Sequence, residues 1–414
     1  MTHPLSEDQL HIGVASVDIT PPLGAVMVGY RSRRATSIAH PLRAEAMVCR
    51  GPGGAWALIT SDTIGYTRAF ADPVRAAIAE ALGIPAGAVV LSGTHTHSGP
   101  CSIVFGRGEK LDPLDRDYLD ELSGKLVALA QRAADDAQPG SFEVAYTRAP
   151  DVAHNRRIQR EDGTWANEWE DREGKHPGYY DPAIMLVAVR RPDGRRDALL
   201  VNFGCHPVVL GPQSLALSGD YVGYLRRQLD AEANAGLTLF ALAACGDINP
   251  RTCIQTDEAH PGALGEKVAR LVLDALPGLE PVAASAVASC CVEWSITRTR
   301  EAGKYKGAPG RNAGDVFETP IVALRAGELG IIAAPGELFS EYNAMLRAAS
   351  PTRHTLVVTL ANDYPGYLPT DEAQRQGAYE TTMAPADHLE QPLMQHAAAA
   401  FAGVEVPDGD RESV

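Results

Sequence analysis

His95 and His97 stand in the run Ser92-Gly93-Thr94-His95-Thr96-His97-Ser98-Gly99-Pro100, directly after the apolar stretch Ala88-Val89-Val90-Leu91. That stretch reads as a short buried strand. Alternate residues of a strand share a face, so both imidazoles are expected to converge on one object. Gly93 and Gly99 are expected to let backbone and ligand approach closely. Neutral imidazole is a common zinc ligand, and a second imidazole beside a metal-activated water moves protons near neutral pH. The chemistry that fits is metal-assisted hydrolysis; two polar residues ending a strand are the plainer alternative.

Further polar clusters occur where apolar runs stop: Gly204-Cys205-His206-Pro207, Gly246-Asp247, Pro335-Gly336-Glu337 and Asn362-Asp363-Tyr364-Pro365-Gly366-Tyr367. Strand ends are where ligands bind in α/β folds, so these segments are candidates for one shared site. Taken singly, His206 reads as a hydrogen-bonded structural histidine, Glu337 as a helix N-terminal acid, Tyr367 as a packed aromatic and Asp247 as a turn or helix cap. Cys205 adjoins His206, but neighbouring strand residues face opposite sides, which makes a buried thiol the expectation.

The elements that must position these residues follow from periodicity and turn chemistry. Residues 12–64 form a strand-rich opening. A helix over 69–82 leads through Gly83-Ile84-Pro85 into the His-bearing strand, and a second, Ala- and Leu-rich helix spans 114–136. A strand over 142–146 precedes a long polar excursion, 160–180, which is read as a surface loop or lid, with Trp165 and Trp169 as cover for the site. A hairpin joins 184–189 to 198–203 around Arg191-Pro192-Asp193-Gly194. Then come a helix (220–235), a strand (237–244), a helix (261–276), a β-like run (282–295) and a Gly-, Lys- and Arg-rich loop (301–315). Within that loop, 303–310 lacks the context of a phosphate loop. Two strands over 320–334, a helix (340–349), a strand (355–360) and an Ala-rich helix (389–402) complete the pattern. No internal repeat stands out. The expectation is an α/β fold of mixed β-sheets flanked by helices, a single domain over 1–403 with a polar tail over 404–414.

The 414 residues carry 37 Lys plus Arg against 52 Asp plus Glu, a net charge of −15. That balance disfavours nucleic acid and anionic membranes as partners and leaves a small-molecule substrate. No run is long and apolar enough for a membrane helix, so no stable membrane association is expected, and a homo-oligomer is left open. Seven scattered cysteines show no paired spacing, and Met1 to Asp8 lack the basic and apolar parts of a secretory signal, so a reduced, cytoplasmic protein is expected.

Read in order, several segments together resemble the neutral, non-lysosomal ceramidase family. They are Ile12 to Pro21 with Met27-Val28-Gly29-Tyr30, Gly93 to Pro100, Asn155-Arg156, the His206 segment, Gly246 to Pro250, Pro335-Gly336-Glu337, and Ala361 to Tyr367 followed by Tyr379-Glu380. The resemblance implies a ceramidase-like α/β catalytic domain with zinc (Zn2+) held by His95, His206, Glu337 and Tyr367, Tyr364 being the competing choice for the last. It implies that His97, Arg156 and Tyr379 act on the substrate, His97 passing a proton from water to the leaving amine, Tyr379 and Arg156 steadying the oxyanion or anchoring a polar group. A phenol on the metal would require a lowered pKa.

The chain departs from the family in ending soon after Tyr379, where relatives carry an immunoglobulin-like domain, and in a short interval between His206 and Glu337. No apolar loop for docking on lipid is evident. The expected activity is zinc-dependent hydrolysis of a C–N amide bond in a small or N-acylated substrate other than ceramide. Ester or lactam hydrolysis, isomerisation of a small polar substrate, and a non-catalytic metal-binding scaffold are the alternatives.

Overall fold

Three sheets built to the same plan surround one core. The structure is a computed structural model and describes residues 9–103, 113–283, 286–300 and 312–405. The first unit comprises β1 (His11–Asp18), β2 (Arg43–Gly51), β3 (Gly54–Ser61), α1 (Arg68–Leu82), β4 (Val89–Gly93) and α2 (Pro113–Asp135). The second repeats the order with β5 (Ser141–Arg148), β6 (Ala183–Arg190), β7 (Arg196–Phe203), α3 (Asp220–Glu232), β8 (Leu237–Leu242) and α4 (Ala259–Ala275). The third has β9 (Val287–Thr297), β10 (Val316–Ala326), β11 (Leu329–Ala333), α5 (Glu341–Ala349) and β12 (His354–Val358). Two short helices, α6 (Asp371–Gln376) and α7 (Tyr379–Thr382), precede its closing helix α8 (Glu390–Ala402).

In every unit the first three strands pair antiparallel in sequence order and the fourth lies parallel to the third. A parallel neighbour cannot be reached by a tight turn, and the crossovers are α1, α3 and α5. The second-to-third hairpins turn at Gly53, Gly194 and Gly327, whose φ values of 88°, 89° and 59° suit glycine.

Strand alternation sorts the apolar residues. Trp56 and Leu58 of β3, Leu200 of β7, and Val322 and Leu324 of β10 point into the shared core between the sheets. Their neighbours point outward into a separate core under each unit's helices: Ala57 and Ile59 with Ile78 and Leu122, Leu199 and Val201 with Leu225 and Val268, Ile321 and Ala323 with Leu346 and Leu393.

The fourth strands are sheet edges, and they meet at the centre of the molecule. Asn362 N donates to Leu91 O (2.8 Å) and Thr359 N to Leu242 O (3.0 Å). The Asn202 amide spans Ala241 O and Val357 O at 2.9 and 2.8 Å. These bonds satisfy edges that would otherwise template aggregation, and they bring the C-terminal ends of the parallel strands to one place.

No internal repeat stands out in the sequence, yet the structure contains one. The repeat lies in element order and pairing, while the connecting segments differ too much in length and residue type to show it in sequence. Most elements fall within a few residues of expectation, though β9 begins at Val287, five residues later than expected. The 303–310 segment and residues 406–414 of the expected tail lie outside the described residues. No helix of the described residues is long and apolar enough to cross a membrane.

Candidate active site

The chain leaves β3, β7 and β11 through Asp62, His206 and Glu337, and it leaves β4, β8 and β12 through His95, Asp247 and Tyr364. All these exits lie on the side where the edge strands converge. His95 and His97 are past the end of β4 at Gly93, so they do not share a strand face as expected. The backbone turns at His95, whose φ is 68°, and is held by Thr94 N to Ser61 O (2.7 Å) and His95 N to Thr63 O (2.9 Å). It is this turn that brings the two rings together, with centroids 4.9 Å apart. The flanking glycines serve the backbone rather than a ligand: a Cβ on Gly93 would lie 2.7 Å from Gly65 N, and one on Gly99 2.8 Å from Asp62 O.

His95, His97 and His206 present ring nitrogens within 4.8 Å of one another. His95 Nδ1 donates to Ile64 O (2.7 Å) and His206 Nδ1 to Cys245 O (2.7 Å). Carbonyls only accept, so the Nδ1 atoms carry the protons and both Nε2 atoms turn lone pairs inward. Glu337 Oε2 faces them at 3.4 Å from His95 and 3.0 Å from His206. Burial works to raise the Glu337 carboxyl; positive charge on the imidazole side, at His95 first, outweighs it and holds it well below the usual range, and with the rings neutral a metal ion is what would supply that charge. Burial, with Arg156 nearby, lowers His206 to about 4, so that ring is neutral at pH 7. An ionised carboxylate facing buried lone pairs is unstable unless a positive charge sits between them. These donors fit a metal ion of the zinc type.

The other carboxylate oxygen, Glu337 Oε1, accepts from Tyr364 OH at 2.6 Å. Tyr364 thus fixes which oxygen faces the imidazoles, a positioning role that the sequence reading missed because it weighed this residue only as a ligand. Tyr367 pairs with Glu337 in a short parallel bridge, and its hydroxyl accepts from Arg156 at 3.2 Å. Burial and Glu337 raise its pKa well above the phenol range, with Arg156 opposing, so the lowered value expected of a metal-bound phenol is not built into the protein. By distance alone His97 competes with Tyr367 as a fourth donor, its Nε2 being 3.4 Å from that of His95.

His97 is seated by the turn at Gly29-Tyr30. The Tyr30 ring meets it edge-on at 4.9 Å, and Arg33 holds its backbone oxygen. A Cβ on Gly29, where φ is 101°, would lie 2.5 Å from the imidazole. Burial, then the adjoining histidines, push His97 well below the ordinary histidine range. It is a neutral ring, able to accept a proton.

Arg156 binds Glu380 Oε1 through Nε (2.7 Å), Asn249 Oδ1 through Nη1 (3.0 Å), and Gly246 O through Nη2 (2.7 Å). With Tyr367 also on Nη2, most of its donors are spent on the scaffold, and one Nη1 hydrogen remains for a substrate. Glu380, fully buried, is a second residue the sequence reading passed over; it also takes Asn167 Nδ2 at 2.5 Å. Asp247 caps neither turn nor helix. It accepts from Asn155 Nδ2 (2.5 Å) and Ser340 N (2.8 Å), tying the Arg156 segment to the third unit, and burial with Glu341 nearby lifts it to about 7. Cys205 lies buried in the loop past β7, where burial raises its thiol well above the usual range, the environment of a structural cysteine.

A cavity of about 1230 Å³ opens over this cluster. Its lining includes the aliphatic Val26, Val28, Ile64 and Ile103 as well as Arg156, Trp169, Tyr367 and Tyr379. Of the polar excursion, Trp165–Asn167 pairs with Arg157–Gln159, and Trp169 reaches the cavity while Trp165 stacks its ring on the Arg157 guanidinium.

Fold and site together define an α/β protein with a buried histidine–carboxylate centre at its strand ends. A family model described as neutral/alkaline non-lysosomal ceramidase, N-terminal, matches residues 10–263, more than half of the chain. The chain belongs to that family. Neutral ceramidase B of Dictyostelium discoideum is 24% identical over 174 residues, 40% of this chain, and the match spans only 24% of that relative's length. A solved ceramidase complexed with C2 superposes with a TM-score of 0.78 at 18% identity, covering 95% of this chain and 75% of that one. The neutral ceramidase of Pseudomonas aeruginosa gives 0.77 at 18% identity, over 97% and 76% of the respective chains. At such identity the likeness is one of fold.

Proposed function

We propose that this protein is a zinc-dependent hydrolase that cleaves the C–N amide bond of a small or N-acylated substrate other than ceramide. The observation that carries the reading is the inward-facing set of His95 Nε2, His206 Nε2 and Glu337 Oε2, acceptors that need a cation between them. His95, His206, Glu337 and Tyr367 would hold the zinc, which when bound acidifies a water and polarises a carbonyl. His97, neutral and seated by Gly29, Tyr30 and Arg33, takes the water's proton and returns it to the amide nitrogen, without which the amine cannot leave. Tyr379, whose phenol burial keeps protonated, donates to the developing oxyanion, an interaction typically worth about 2.7–4 kcal/mol. Arg156 chiefly holds Tyr367 and the wall around it.

The test is metal analysis with a panel of N-acyl amines, ceramide, short amides, esters and lactams. One zinc per chain and release of acid and amine from a small amide support the reading. Preference for ester, lactam or ceramide redirects it, a rearranged product without added water turns it to isomerisation, and bound zinc with no turnover leaves a scaffold.

A further inference from the structure

We propose that Trp169 and Tyr379 form a subsite for a planar ring of the substrate, beside the reacting bond. The inference rests on the hydrolase reading above. Both rings line the cavity, Trp169 at 38% and Tyr379 at 45% exposure, and they meet edge to face with centroids 5.6 Å apart. Large rings left this open forgo the burial that folding gives Trp56, which is 1% exposed in the shared core.

Their backbones are nevertheless pinned. Trp169 O accepts from Asn249 Nδ2 (2.9 Å) and Cys253 Sγ (2.8 Å), and Tyr379 N donates to Asn167 Oδ1 (3.2 Å). The Arg156 guanidinium lies 5.2 Å from the Trp169 ring centre and 5.7 Å from that of Tyr367. The outcome is a preorganised aromatic wall running from the mouth to Tyr367, which itself meets Tyr379 at 5.9 Å. An alkyl group gains by burial anywhere along the cavity, whereas a planar ring gains a further quadrupole term against the Trp169 and Tyr379 rings.

The test compares matched amides that carry phenyl or cyclohexyl on the acyl side or on the amine side. The wild-type zinc enzyme is expected to favour phenyl about fivefold in kcat/KM on one side of the bond, through KM. Trp169→Phe keeps the preference, and Trp169→Leu brings the phenyl-to-cyclohexyl ratio to about one. Calorimetric binding to metal-stripped protein should show the same ratio, and the same loss, for whichever of phenylacetate and benzylamine carries the ring on the favoured side, against its cyclohexyl analogue. Equal ratios in both series, or a preference that survives Trp169→Leu, overturn the subsite. Ring-selective binding without hydrolysis of any amide sinks the hydrolase reading alone; hydrolysis without ring preference sinks the subsite alone.

Discussion

Asp62 and Glu337 are buried carboxylates at corresponding strand exits of the first and third units, and their surroundings are opposite. Asp62 is satisfied by the protein: Arg226 pairs with it, Arg43 N donates at 2.9 Å and Thr94 OH at 3.2 Å. Arg226 also reaches Glu45 at 2.8 Å, closing a buried ion network between the first two units. Glu337 has Tyr364 on one oxygen, while the other faces imidazole lone pairs. Corresponding strand exits thus serve stability where the carboxylate is neutralised internally and ligand chemistry where the counter-charge is left to come from outside.

The comparison is broken most severely by removing the outside charge. Chelation should abolish hydrolysis and lower the unfolding free energy, by about 4 kcal/mol relative to protein at a thousandfold excess of zinc over Kd. Metal-stripped Glu337→Gln should unfold no more easily than metal-stripped wild type, since the acceptor clash is gone; Asp62→Asn should unfold more easily under the same conditions. A Glu337→Gln variant much weaker than stripped wild type would show that Glu337 is an ordinary structural acid.

Next in size, His97→Ala should lower kcat by about 10²–10⁴-fold while zinc stays bound at wild-type stoichiometry. Loss of zinc instead would make His97 the fourth ligand. Arg226→Ala, which removes the guanidinium from Asp62 and leaves Glu45 with Arg43 as its cation, should cost about 3–5 kcal/mol in chemical denaturation, with the zinc content of the folded fraction kept. The smallest expected effect belongs to Tyr364→Phe. Freeing Glu337 Oε1 should weaken zinc about 10–100-fold in chelator competition, with the fold unchanged by circular dichroism.

Much of the element order was legible because strands and helices announce themselves through apolar period and turn residues. The Arg191 to Gly194 hairpin and the helix ahead of β4 are examples. Convergence of the strand exits was legible too, since polar clusters after apolar runs stand out at His95, His206 and Glu337. How they converge was not. His95 and His97 meet through a left-handed turn that a strand reading does not contain, and Ser340, read as the start of a helix, spends its amide on Asp247. Tyr364 and Glu380 escaped because their partners, Glu337 and Arg156, lie 27 and 224 residues away.

The sequence by itself determined the residue types: imidazoles, carboxylates and phenols at the ends of buried strands, in an order that resembles one family. Local periodicity and turn chemistry suffice for that, since they act over a few residues. Only the tertiary structure decided that three units share one core, that Asp62 finds Arg226 whereas Glu337 finds His95 and His206, and that Trp169 comes to lie beside Tyr379. Those outcomes depend on which edge strands meet at the centre, a matter of long-range packing that no local pattern encodes.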